Sequence, residues 1–165
     1  MRPRLLLCGL GQPHRGDDAA GLEAVTAWAS QHPHLAQHPQ VRVLTLASPG
    51  LALLEPLSQA QAALLVDAVA SGAPPGTLHR LTPKDLTAFT QGSASAHGWG
   101  LAETLGLAQT LRARLAPEIQ ILGIAGARWS AGAGLSPEVR AAFPRLLDAI
   151  TRWVQAHLSP ALDQG

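Results

Sequence analysis

The sequence predicts an α/β domain: a three-layer α/β/α sandwich built around a mainly parallel, twisted sheet of about five strands. Three observations predict it. Apolar runs such as Leu5-Leu6-Leu7-Cys8, Ala62-Ala63-Leu64-Leu65-Val66 and Ile119 to Ala125 are short and nearly continuous, as in strands covered on both faces. Segments between them carry apolar residues at helical spacing. Strand and helix also alternate along the chain, the order that gives a parallel sheet.

The first strand spans Arg4 to Leu10, and a glycine-rich turn leads from it into a helix over Ala19 to Ser30, with Leu22, Val25 and Trp28 on one face. The histidine-rich stretch Gln31-His32-Pro33-His34 and His38-Pro39 reads as a solvated connection. Val41 to Leu46 is β-branched at two positions and forms the second strand. A short helix follows over Leu51 to Leu57, which Pro56 should end or distort. The third strand, Ala62 to Val66, places Asp67 at its carboxyl end. After the turn cluster Gly72-Ala73-Pro74-Pro75-Gly76, Thr77 to Leu81 is a fourth strand near an edge, since it carries His79 and Arg80.

Thr82 to Ala96 shows no clear period and reads as a mobile loop that delivers His97 to the start of a helix. That helix places Leu101, Leu105, Ala108, Leu111 and Leu115 on one face, with Arg112 and Arg114 near its last turn, where the macrodipole favours cations. The fifth strand, Ile119 to Ala125, opens into a glycine-rich loop with Arg128 and Trp129. Ser136-Pro137 then has the form of an N-cap followed by proline at the first helical position. The last helix has the strongest stripe in the chain, Phe143 through Val154, and Pro144 should split or kink it.

With 165 residues the chain is expected to be one domain, residues 1–160, followed by a frayed tail over 161–165. Hydrophobic residues at 47% against charged residues at 14% exclude a disordered chain. A formal charge of +1 with scattered Lys and Arg gives no footprint for nucleic acid or an anionic membrane. A single cysteine cannot pair within the chain and fits a reducing compartment, so Cys8 reads as an inert core thiol. The apolar run after Met1-Arg2-Pro3-Arg4 is too short for a signal peptide, and no stretch approaches a membrane span. The expectation is a cytoplasmic monomer with neither nucleic-acid nor membrane partners.

Chemistry concentrates in Gly9-Leu10-Gly11-Gln12-Pro13-His14-Arg15-Gly16-Asp17-Asp18-Ala19-Ala20-Gly21. A strand-to-helix turn of this kind exposes side chains at the carboxyl edge of an open α/β sheet. The glycines suggest a dinucleotide site, but His14 stands where a third glycine is required, and Ala47-Ser48 offers no acid after the second strand. A phospho-receiver domain shares the acidic pair and an aspartate ending the third strand, yet Gly123-Ile124-Ala125-Gly126 lacks its lysine. A nucleophile elbow is absent. What remains is Asp18, Asp67 and His97, two carboxylates and an imidazole at places where the fold exposes side chains. Such donors suit a divalent transition ion, and three protein ligands leave coordination positions free. Read separately, the same residues are helix caps and turn residues. Asp17 is assigned to helix capping, since neighbouring residues point to different faces.

The sequence resembles the maturation endopeptidases of nickel–iron hydrogenases. The resemblance rests on Gly9-x-Gly11-x-x-x-Arg15-Gly16-Asp17-Asp18-x-x-Gly21, on Leu64-Leu65-Val66-Asp67-Ala68, and on His97-Gly98-Trp99-Gly100-Leu101-Ala102. Leu122-Gly123-Ile124 and Gly134-Leu135-Ser136-Pro137 extend it. It implies a protease that removes the C-terminal extension of a hydrogenase large-subunit precursor after nickel insertion. It also implies that Asp18, Asp67 and His97 are both the catalytic and the metal-binding residues. The nickel would come with the precursor, the resting enzyme needing none, and no other cofactor is implied. A non-catalytic chaperone for the precursor and a phosphate- or nucleotide-binding domain are the alternative readings. The chain departs from the family pattern at three places. Gln12 replaces a common asparagine, and Asp18 replaces a frequent glutamate and is one methylene shorter. Thr45-Leu46-Ala47 stands where many members have Asp-Gly-Gly, which points to a different partner.

Overall fold

A computed structural model describes residues 4–90 and 100–158. Five strands among these residues form one sheet in the order β2-β1-β3-β5-β4, where β1 is Leu5–Leu10, β2 Val41–Leu46, β3 Ala62–Val69, β4 Leu78–Leu81 and β5 Glu118–Ala125. The first four in that order are parallel, and β4 closes one edge antiparallel to β5. The helices are α1 Ala20–Gln31, α2 Pro33–Ala36, α3 Gly50–Gln59, α4 Pro83–Thr90, α5 Leu101–Thr110 and α6 Pro137–Leu158.

The two-residue alternation of strands sorts side chains into two cores. Leu5 and Leu7 of β1, Leu64 and Val66 of β3, and Leu122 and Ile124 of β5 join α1 and α6, with Trp28 fully buried among them. Leu6, Cys8, Leu10, Ala63, Leu65 and Ile121 face the other way, onto Leu53 and Leu57 of α3 and Leu101 and Leu105 of α5. The expected three layers and mainly parallel five-stranded sheet are therefore present.

Several expectations need correction. The stretch read as a loop from Thr82 contains α4, and its start is a reciprocal capping box. The Thr82 N–H donates to Asp85 Oδ2 at 2.9 Å, and the Asp85 N–H donates to Thr82 Oγ1 at 3.3 Å. The remainder of that stretch, and His97 with it, lies outside the described residues, as do residues 159–165, where the frayed tail was expected. Helix α5 stops at Thr110, short of Arg112 and Arg114, and Leu111 is 58% exposed rather than on the buried face. Arg112 takes a left-handed conformation (φ 52°) and the Ala113 N–H reaches back to the Ala108 carbonyl at 2.9 Å, which terminates the helix. Pro56 and Pro144 neither end nor split their helices. Each sits four residues after an exposed residue, Ala52 and Arg140. The histidine-rich connection includes the short α2, and His32 stacks on Trp28.

Candidate active site

Strand β1 runs to β2 on one side and pairs with β3 on the other, so the topological switch point falls between β1 and β3. Open α/β sheets place their sites there. Asp18 leaves the end of β1 on a 3-10 turn, Gly16–Ala19, and Asp67 stands on β3. Contrary to expectation Asp67 does not end its strand, because β3 continues to Val69. By alternation its side chain shares the face of Ala63 and Leu65, the layer of α3 and α5.

Two glycines allow this approach. Helix α1 crosses so close to β3 that a Cβ on Gly21 would strike the Val66 carbonyl. Gly11 has φ 145°, and a Cβ there would run into the Asp18 carbonyl, so the turn folds flat against the end of β1. Asp18 is half-buried and its Oδ2 accepts the Gln12 N–H at 3.2 Å. Asp67 Oδ1 accepts the Ala68 N–H at 2.8 Å. Burial, and next the negative charge of Asp18, push the Asp67 carboxyl well above the ordinary carboxylate value; the Ala68 hydrogen bond opposes them without prevailing. The structure thus brings Asp18 and Asp67 together, while His97 is outside the described residues. Among the described residues no three His, Cys, Asp or Glu side chains form a metal-binding group.

Asp17 behaves differently and is no cap of α1, which has no side-chain cap. It is fully buried. Its Oδ2 accepts the Ala127 N–H at 2.7 Å, the Arg128 N–H at 3.0 Å and the Ser136 hydroxyl at 2.8 Å, and its Oδ1 accepts the Ser136 N–H at 2.7 Å. Burial alone would raise its pKa, but these bonds outweigh burial and hold the carboxyl below the ordinary value. Ser136 meanwhile caps α6 as expected, its Oγ accepting the Val139 N–H at 3.4 Å. Sequence reasoning found Asp17 and Ser136 separately, each as a cap, and missed their contact, which nothing local marks.

Cys8 is buried, and burial first and the Asp67 charge second push its thiol up to about 12, which makes it inert. A phosphate at this switch point would face the Asp18 and Asp67 carboxylates, so the nucleotide reading finds repulsion where it needs attraction.

Residues 29–153 match the family model described as hydrogenase maturation protease (HycI), a stretch that covers well over half of the chain. The chain belongs to the hydrogenase maturation protease family. The match includes the positions of Asp67 and His97 and begins after Asp18. Two similar relatives are the hydrogenase expression/formation proteins HupD of Rhodobacter capsulatus and of Thiocapsa roseopersicina. The first is 33% identical over 109 residues, 66% of this chain and 50% of that protein. The second is 30% identical over 110 residues, 66% of this chain and 48% of that protein. The chain thus spans about half the length of the curated relatives it matches. Among solved structures, the hydrogenase maturating endopeptidase HybD from E. coli superposes with a TM-score of 0.76 at 23% identity, over 93% of each chain. The [NiFe] hydrogenase maturation protease HybD from Thermococcus kodakarensis gives 0.68 at 24% identity, over 92% of this chain and 99% of that one. At these identities the likeness is one of fold. No helix among the described residues is long and apolar enough to cross a membrane.

Proposed function

We propose that the chain is a monomeric cytoplasmic endopeptidase that removes the C-terminal extension of a nickel–iron hydrogenase large-subunit precursor after nickel has been inserted. Membership of the maturation protease family supports the substrate class. The observation that carries the site is the raised Asp67 carboxyl beside Asp18 at the switch point. Two carboxylates side by side disfavour each other's ionisation, and a cation between them reverses the sign. The pair is therefore poorly matched to an empty cleft and well matched to a cation arriving with a partner.

In this reading the nickel belongs to the substrate. Asp18 and Asp67 offer oxygen donors and His97 a nitrogen donor, a set suited to a divalent transition ion already held by other ligands of the precursor. A nickel ion held by these residues would supply Lewis-acid polarisation of the scissile carbonyl or an activated water. The chain's own residues fix the geometry: β3 holds Asp67, the 3-10 turn holds Asp18, and whichever carboxylate is not engaged by the ion can accept a proton from the attacking water. Because both partners complete one coordination sphere, an unloaded precursor gives no productive complex, and cleavage becomes a checkpoint on nickel insertion.

The test is incubation with nickel-loaded and nickel-free precursor, followed by mass spectrometry. The loaded form should lose its C-terminal extension and the free form should stay intact, and Asp18→Ala, Asp67→Ala and His97→Ala should each fold and leave the loaded form uncut. Binding of the loaded precursor without any change in its mass would instead make the chain a non-catalytic chaperone. Normal cleavage by all three variants would remove the site.

A further inference from the structure

The Gly134-Leu135-Ser136-Pro137 segment takes no direct part in the carboxylate pair, yet its serine ends up bonded to the residue next to Asp18. We propose that Asp17 and Ser136 form a positioning clamp that fixes the Asp18 carboxylate opposite Asp67 for cleavage, an inference that rests on the endopeptidase reading above.

The hydrogen bonds of the turn carry the argument. Asp18 has little to hold it by itself: its N–H meets the Arg15 carbonyl at 3.2 Å and its Oδ2 meets the Gln12 N–H at 3.2 Å, both long and both local. Asp17, one residue earlier, is anchored at every point. Asp17 accepts four hydrogen bonds, three on Oδ2 and one on Oδ1, all from donors in residues 127–136. Its own N–H donates to the Arg128 carbonyl at 2.6 Å. On the preceding side, the Gly16 N–H reaches the Ala133 carbonyl at 2.9 Å and the Gly132 N–H reaches the His14 carbonyl at 2.7 Å.

The result is a short strap in which residues 14–17 are bonded to residues 127–136. His14 sits in it at φ 62°, a left-handed conformation that a residue with a Cβ keeps only where its surroundings impose it. The far end of the strap is the start of α6, the longest helix described. Asp18 is thus referenced to a rigid element through its neighbour. Charge is essential to this, since an amide at position 17 would present two N–H donors toward groups that are themselves donors. Burial of Asp17 and Ser136, at 0% and 2% exposure, shields the clamp from exchange with water.

A clamp of this kind acts on the reaction step and leaves association alone. The closing experiment is steady-state cleavage of nickel-loaded precursor by wild type, Ser136→Ala, Ser136→Thr, Asp17→Asn and Asp18→Asn, each at a temperature where circular dichroism shows it folded. Ser136→Ala removes one of the four donors and should lower kcat about tenfold with KM unchanged, and Asp17→Asn should lower it about a hundredfold. Ser136→Thr keeps the hydroxyl and should restore wild-type turnover. If Asp17→Asn does not fold, the two Ser136 variants decide the matter. Wild-type kcat in folded Ser136→Ala, with only its melting point reduced, overturns the clamp and leaves it an ordinary structural contact. A wild-type chain that does not cut, or an Asp18→Asn variant that cuts normally, overturns the endopeptidase site first and the clamp with it.

Discussion

Asp17 and Asp67 are both withdrawn from water at the same edge of the sheet, yet their surroundings move them in opposite directions. Asp17 accepts four hydrogen bonds and its carboxyl is held below the ordinary value. Asp67 accepts one among the described residues, from its neighbour's N–H, feels the charge of Asp18, and is raised. Desolvation acts on both, and the count of donors decides the outcome. The contrast separates two uses of a buried charge. A carboxylate held by many donors serves the architecture, whereas one crowded by a like charge serves a ligand.

The contrast breaks most visibly at Asp17. Asp17→Ala leaves the N–H groups of Ala127, Arg128 and Ser136 without their acceptor, so a loss of about 3–5 kcal/mol is expected, the scale for stripping a buried charge network. Thermal melting should register it as a drop of roughly 10 °C. A variant that melts with the wild type would mean that the four bonds contribute nothing and that the two aspartates do not differ as described.

Smaller effects come from pH and from Asp67. A carboxyl lowered on folding contributes stability above the ordinary value of about 3.9, and that contribution is lost as pH falls through the folded-state value. Asp17 should therefore add an acid-side loss of stability that Asp17→Asn lacks. Asp67 has the opposite sign. Its folded form keeps a proton that the unfolded chain has released, so its cost grows as pH rises from about 3.9 through its folded-state value and stays in full above it. Asp67→Asn should then melt above the wild type at neutral pH, since it lacks that cost. A fall in Tm at pH 7 would place Asp67 with Asp17 instead.

The smallest expected change sharpens the contrast as a control. Arg112 occupies a left-handed position that glycine adopts without strain, and Arg112→Gly should stabilise the chain by about 0.5–1 kcal/mol. Denaturant titration should show a higher midpoint with no change in the pH dependence that Asp67 imposes.

Much of the sheet was legible because continuous apolar runs of strand length have few other uses, and β2 spans Val41–Leu46 as its alternation predicts. Less legible were features that depend on what lies beside a residue in space. The capping box at Thr82 and Asp85 was present in the sequence but hidden by the absence of an apolar period in α4. The end of α5 was misread because Leu111 and Leu115 continue the helical spacing, although Leu111 faces solvent. Pro56 is expected to end or distort its helix and Pro144 to split or kink its own, yet both helices run on through them. At the site, Asp18 and Asp67 could be singled out by position, since strand order alone brings β1 beside β3. The role of Asp17 could not, because its partners lie more than a hundred residues away and nothing local marks them.

The crowding of Asp18 against Asp67 can be measured directly by following the Asp67 side-chain carboxyl carbon by NMR across a pH titration, in wild type and in Asp18→Asn. An Asp67 pKa above the ordinary carboxylate value that falls when Asp18 loses its charge is the expected result. An ordinary value, unchanged in Asp18→Asn, would contradict the pairing of the two side chains and the cation site built on it.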